Sequence, residues 1–330
     1  MKFLASFFSA AATAALLSAC GGSGDDSPPT GGTQSVAITA GNQSAVARAT
    51  VNGGFSLALV QSETGAAPTS APAAAAGAER VLRRVARVAT TPRRVVASAT
   101  VHPQSTSQQT DPCGVSGSLV TTWNDADNNG QLDAGDVLTA NFQQCQDSAS
   151  LSFNGTLVIT LTGTPTDTDL AANAVFQNVV VVESGVTYTI SGAAALHEVD
   201  TDTVSSTSLM VGAAGLALAI ASPSYNDSIA FESGMLVTSS FLAGGSTLTL
   251  AGSFTAQSIG GRVSIATPAA LHQQTGDAFP SSGEVVVTGA SGSTLTLTPL
   301  NVAQVQLQLD ANGDGAADGT SVVAWTALIP

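Results

Sequence analysis

From Gly114 onward, apolar side chains recur at every second residue, which is the spacing of a β-strand with one face buried. Leu151, Phe153, Leu157, Ile159 and Leu161 alternate with Ser, Asn, Thr and Val; Val186, Tyr188 and Ile190 alternate with Thr. The pattern returns at Leu248 and Leu250, at Leu295 and Leu297, and at Val305, Leu307 and Leu309. Gly, Asp, Asn, Ser and Pro separate the runs, and no helical period intervenes. The expectation is an all-β domain over residues 111–330, with about a dozen antiparallel strands. So many strands must hide their edges, so the sheet is expected as a sandwich or a curled, barrel-like sheet. A membrane pore is disfavoured, because such barrels wear aromatic girdles and this chain has 2 Trp and 2 Tyr.

Upstream the pattern differs. Residues 34–60 form a short N-terminal segment with two open readings. Val51-Asn52-Gly53-Gly54-Phe55 is a turn signal for a hairpin. A short Ala-rich helix from about Ala40 to Val51, capped by Thr39, fits as well. Residues 61–110 read as a linker rich in Ala, Pro, Ser, Thr and Gly, interrupted by one amphipathic helix near 79–90. In that helix Val81, Leu82, Val85 and Val88 share one face, while Arg80, Arg83, Arg84 and Arg87 share the other; Pro92 ends it. The helix is expected to dock its apolar stripe on the sheet. Contact with anionic lipid is the other reading.

The charge is lopsided. Of the 9 basic residues, six lie between Arg80 and Arg94, whereas from Asp111 to the end Arg262 stands alone against nineteen acids. Such a body repels nucleic acid and attracts divalent cations.

Asp125, Asp127, Asn129, Gly130, Gln131, Asp133 and Asp136 occupy positions one, three, five, six, seven, nine and twelve of one loop. Alternate side-chain oxygens with a glycine turn and a carbonyl form an oxygen shell suited to calcium. The spacing resembles the EF-hand loop, in its dockerin-like form with Asp in the last place. That resemblance implies Ca2+ held by Asp125, Asp127, Asn129, the Gln131 carbonyl, Asp133 and Asp136. The run Val137–Phe142 alternates like a strand, which departs from a helix–loop–helix hand. A weaker copy comprises Asp310, Asn312, Asp314, Ala316 through its carbonyl, and Asp318, with Ser321 in the twelfth place. Trp123 and Trp325 flank the two loops and are expected to pack in the core. Cys113 and Cys145 are expected to form a disulfide around the first loop.

At the start, Met1-Lys2 precedes an uncharged run from Phe3 to Leu17, too short for a membrane span and suited to a secretory signal over residues 1–19. Leu17-Ser18-Ala19-Cys20 resembles the bacterial lipobox. The resemblance implies cleavage before Cys20, lipid on Cys20, and a tether over residues 20–33. Gly21 follows where an inner-membrane lipoprotein carries Asp, so the outer membrane is the expected address. His102, His197 and His272 lack metal-ligand spacing, and no phosphate loop or nucleophile elbow is present. The expected function is non-enzymatic, a binding or structural role in the cell envelope. The alternative is an envelope hydrolase acting on glycans, which requires paired carboxylates in a cleft.

Overall fold

The computed structural model describes residues 34–59 and 106–330, apart from Asp167, Asp202, Thr203 and Ala243. Cys20 with the signal and tether, and the stretch near 79–90, lie outside these residues.

Fifteen strands join in one antiparallel sheet. The first seven are β1 (Thr106–Pro112), β2 (Ser116–Asn124), β3 (Val137–Ser148), β4 (Leu151–Leu161), β5 (Asp169–Glu183), β6 (Val186–Asp200) and β7 (Ser205–Ala221). Then follow β8 (Asn226–Phe231), β9 (Leu236–Leu242), β10 (Gly245–Ala256), β11 (Gly261–Gln274), β12 (Ser282–Thr288), β13 (Thr294–Asn301), β14 (Gln304–Asp310) and β15 (Gly319–Ala324). Each strand pairs with the next, with one local exception. β8 and β9 lie end to end: β7 pairs with β9 through Ser205–Met210 and with β8 through Leu216–Ala221. β10 pairs with both from the other side, so the four strands form a partial ring. The sheet is therefore an up-and-down meander in which β8 and β9 share one place.

The expected all-β domain is present, and it begins earlier than residue 111. Strand β1 escapes the alternation because it is an edge, exposed along nearly its whole length, so no buried face selects apolar residues.

An oblique crease of bulges crosses the meander. The pairing slips between Ser116 and Ser118 in β2, Phe142 and Cys145 in β3, Asn154 and Thr156 in β4, and Phe176 and Val179 in β5. It slips again past Gly192 in β6, at Leu248/Ala251 in β10 and at Ala266/Ala269 in β11. Bulges of this kind bend a strand and increase its twist. The buried face of these strands shares one core. Leu119, Phe142, Leu157, Val181, Ile220, Val237, Val263 and Leu307 belong to a single core.

A helix completes that core. Helix α1 (Gln43–Leu59) has Val46, Ala47, Ala49, Thr50, Val51, Asn52 and Leu57 buried, so it is enclosed on more than one face, as a core helix is. This decides between the two readings of residues 34–60: no hairpin forms at Gly53-Gly54. Glycine weakens an isolated helix by about 1 kcal/mol per residue. Here the two glycines let the helix approach β8 and β10. A Cβ on Gly53 would stand 3.2 Å from Ile229, and one on Gly54 would stand 2.6 Å from Leu250. Thr39 supports the helix start with its carbonyl, which accepts from the Asn42 and Gln43 N–H groups, while its hydroxyl donates to Asn42 Oδ1 at 3.4 Å.

Further contacts lock α1 in place. Asn52 Nδ2 donates to the Leu328 carbonyl at 2.8 Å. The Arg48 guanidinium lies 4.7 Å above the Tyr225 ring. Asp227, buried, accepts from the Tyr225 hydroxyl at 2.8 Å, the Ser258 hydroxyl at 2.6 Å and the Ser258 N–H at 3.0 Å. Burial and then the Asp227 carboxylate push the Tyr225 hydroxyl far above its usual titration range, so this turn-to-turn latch keeps its proton at all ordinary pH.

Candidate functional site

The first loop connects β2 to β3. Because the meander alternates direction, the loop sits at one end of the sheet and the β14–β15 loop sits at the other. The expected residues are together in each loop, and the two loops share one local design. Position one is a buried aspartate. Asp125 Oδ2 accepts from the Gly130 N–H at 2.7 Å, and Asp310 Oδ2 accepts from the Gly315 N–H at 2.8 Å. Position three caps position five: Asp127 accepts from the Asn129 N–H at 3.1 Å, and Asn312 from the Asp314 N–H at 2.9 Å. Position five caps position seven: Asn129 accepts from the Gln131 N–H at 2.6 Å, and Asp314 from the Ala316 N–H at 2.8 Å. Positions four and six have positive φ in both: Asn128 at 60° and Gly130 at 74°, Gly313 at 76° and Gly315 at 85°.

The loops close differently. Asp136, the twelfth residue of the first, is fully buried and accepts from the Ala126 N–H at 2.9 Å. In the second loop Asp318, the ninth residue, accepts from the equivalent Ala311 N–H at 2.8 Å. The second loop is thus a shortened form, and Ser321 lies in β15 opposite Leu307. Asp136 also accepts from the Asp133 N–H at 3.2 Å and from the Trp123 indole at 3.0 Å. Trp123 therefore serves the loop as well as the core. Trp325 behaves as expected, buried and stacked on Phe279 with 5.8 Å between ring centroids.

Asp136→Ala would leave three N–H groups without their carboxylate. With a few tenths to one kcal/mol for each partly hydrated donor, the loss should be about 2 kcal/mol. The near-UV circular dichroism of Trp123 should weaken together with the thermal midpoint, and Asp136→Asn should recover part of both. Unchanged values in Asp136→Ala would show that the carboxylate holds nothing.

The electrostatics of the first loop are those of a carboxylate cluster held by N–H groups. Burial raises the Asp125 carboxyl, but the N–H groups of Gly130, Asn128 and Asn129 and the Asp127 side chain outweigh it, and the carboxyl sits below its ordinary value. Its contribution to stability is therefore present above the unfolded value of about 3.9 and lost as pH falls through the lower folded value. Asn129 Nδ2 lies between two other carboxylates, 2.8 Å from Asp127 and 2.6 Å from Asp133. Among the His, Cys, Asp and Glu side chains of the described residues, only Cys113, Cys145 and Asp147 bring three ligand atoms within 4.8 Å of one another. The two sulfurs there are joined in a disulfide, and a bonded sulfur is not a thiolate ligand. The carboxylates of the calcium-like loops are not drawn that close; they face the backbone and the Asn129 amide.

The Cys113–Cys145 disulfide, expected from the sequence, ties the β1–β2 turn to β3. It lies at the far end of the β2–β3 hairpin from the loop, roughly 30 Å away at about 3.3 Å per residue of β2. A disulfide points to an extracytoplasmic protein, because cytosolic thiols are kept reduced. Among the described residues no helix is long and apolar enough to cross a membrane.

Of the remaining polar groups, His197 meets Asp169 at 3.2 Å on the exposed face, and a groove near the disulfide is lined by Ser116, Gln144, Gln146, Ser152 and Asn154, with no carboxylate. The sequence reading missed the Asp227 latch. Its only local cue is Tyr225-Asn-Asp227 at a turn, and its partner Ser258 is 31 residues away. Comparison of the chain with protein-family models, with curated proteins and with solved structures gives no match.

Proposed function

We propose that this chain is a lipid-anchored, extracytoplasmic β protein of the bacterial envelope, with a non-enzymatic binding or structural role, and that calcium stabilises its first loop. The observation that carries the calcium reading is the shared hydrogen-bond ladder of the two loops, with positive φ at positions four and six in each. The donor set fits a hard cation: Asp125, Asp127, Asn129, the Gln131 carbonyl and Asp133 offer only oxygen once the Asn129 amide turns, and Asp136 holds the loop closed. The cation supplies the positive charge that the carboxylates now find in N–H groups. The loop at Asp310 has fewer carboxylates and binds more weakly. The anchor rests on the lipobox at Leu17-Ser18-Ala19-Cys20. The role in binding or structure rests on the single core that α1 completes, with the loops and outer face as the working surfaces.

Calcium should raise the thermal midpoint relative to chelator, because a ligand that binds only the folded state stabilises it by mass action. At one hundred times the dissociation constant the gain is about 2.7 kcal/mol. Asp125→Ala with Asp127→Ala should remove most of the rise, and the rise should shrink below about pH 4, where carboxylates protonate. Equal midpoints with and without calcium, with no calorimetric heat at millimolar calcium, would dispose of the calcium reading. The anchor is tested separately: Cys20→Ser should move the protein from the membrane to the soluble fraction, and retention with lipid labelling intact would refute it.

A further inference from the structure

The outer face of the meander carries an apolar stripe across six strands. Ala195 on β6 pairs directly with Met210 on β7, Met210 with Leu236 on β9, Leu236 with Ala251 on β10, Ala251 with Ala266 on β11, and Ala266 with Val286 on β12. Each neighbours a buried residue on its own strand and so points outward. Met210 is 50% exposed and Leu236 is 39% exposed, the two directly opposite each other. With strands about 4.8 Å apart, the stripe is roughly 24 Å long. Leu242 lies farther along β9, while Val115, Leu300, Val302 and Val322 are scattered elsewhere and need no partner.

Charge surrounds this stripe asymmetrically. Glu284 pairs with Ala269 beside it, and Asp169 lies on the same exposed face with His197. The one base of the body, Arg262, is already held by Glu232 at 2.7 Å. An occupant that is apolar on one side and basic on the other fits such a face.

We propose that the occupant is residues 79–90 of this same chain, docked by Val81, Leu82, Val85 and Val88 on the Met210–Leu236 stripe. Three observations carry it. A twelve-residue helix is about 18 Å long, which fits along the stripe. The chain between Leu59 and Thr106 comprises residues 60–105, far more than is needed to reach any part of the sheet. That stretch also holds six of the 9 basic residues, while the body it would cover is acidic. Alanines at three places of the stripe let a helix backbone come close. Docking there leaves Arg80, Arg83, Arg84 and Arg87 at the rim, toward acids such as Glu284.

Trypsin cuts after arginine, so the arginines report directly on docking in the full mature chain. Arg83, Arg84 and Arg87 should be cut at least tenfold more slowly than Arg93 and Arg94. Met210→Asp with Leu236→Asp should abolish that protection, and both positions are exposed, so the fold should survive, its thermal midpoint lowered only slightly by the two facing carboxylates. Val81→Asp with Val85→Asp should abolish it equally while touching nothing in the described core. Glu284→Lys should weaken it. Equal cleavage at all these arginines in the unsubstituted protein would overturn the proposal. So would protection that survives both double substitutions. If Met210→Asp with Leu236→Asp instead splits a dimer, or releases the protein from anionic vesicles, while cleavage stays unchanged, the stripe belongs to a second copy or to lipid and the proposal fails.

Discussion

Gly192→Val should prevent folding, or cost more than about 4 kcal/mol, the range reserved for changes that break a backbone arrangement. Gly192 has φ of 118°, a region side chains rarely occupy, and a Cβ there would stand 2.3 Å from the Gly215 carbonyl oxygen. That contact is backbone to backbone across β6 and β7, so no rotamer can relieve it. The residue also lies on the crease, where β6 must bend for the buried face to curl. A control separates the two causes. Gly185, in the β5–β6 turn, has φ of 85° but nothing within 4 Å of its Cβ position. Gly185→Ala should therefore cost only the conformational term, about 1 to 2 kcal/mol. Urea unfolding of both variants checks this, and a Gly192→Val protein as stable as Gly185→Ala would show that the crease is not a fixed feature.

Removing the disulfide should have the next largest effect. Cys113 and Cys145 are separated by 32 residues, and closing a loop of that size restricts the unfolded chain by roughly 3 to 4 kcal/mol. Cys113→Ala with Cys145→Ala should lower the urea midpoint accordingly. Both side chains are buried at the end of the β2–β3 hairpin, so the loss should appear in β1 to β4 first. Hydrogen exchange should show those strands opening ahead of β13 to β15. Thiol labelling of the denatured, unreduced protein should find neither cysteine, and full labelling of both would overturn the bond. The calcium response should persist in this variant, because the loop at Asp125 is a strand length away.

Much of this molecule was legible in one dimension. Alternation at Leu157, Ile159 and Leu161, or at Leu295 and Leu297, reports a buried face directly, because strand side chains point to opposite sides in turn. Consecutive runs joined by short turns imply an antiparallel meander. The spacing of Asp125, Asp127, Asn129 and Gly130 names a turn whose side-chain hydrogen bonds to the backbone are local, so the local sequence suffices to recognise it. The cysteine pair was legible because the expected lipid site at Cys20 leaves two other cysteines in the sequence.

Other features were decided only when distant segments met. Asn52-Gly53-Gly54 reads as a turn, yet it is helical, and Ile229, Phe231 and Leu250 pack closely against its two glycines. Strand β1 has no hydrophobic signature because it is an edge wet on both faces. Trp123 packs against the core as expected, but its second role, donating its indole N–H to Asp136, appears only in the folded loop. The Asp227 latch, the end-to-end placement of β8 and β9, and the outward row from Ala195 to Val286 depend on register between strands. Periodicity states which face a residue takes. Only the folded sheet states which residue on the next strand stands beside it, because a slip at each bulge resets that pairing and, in β3 and β5, shifts the alternation itself by one residue.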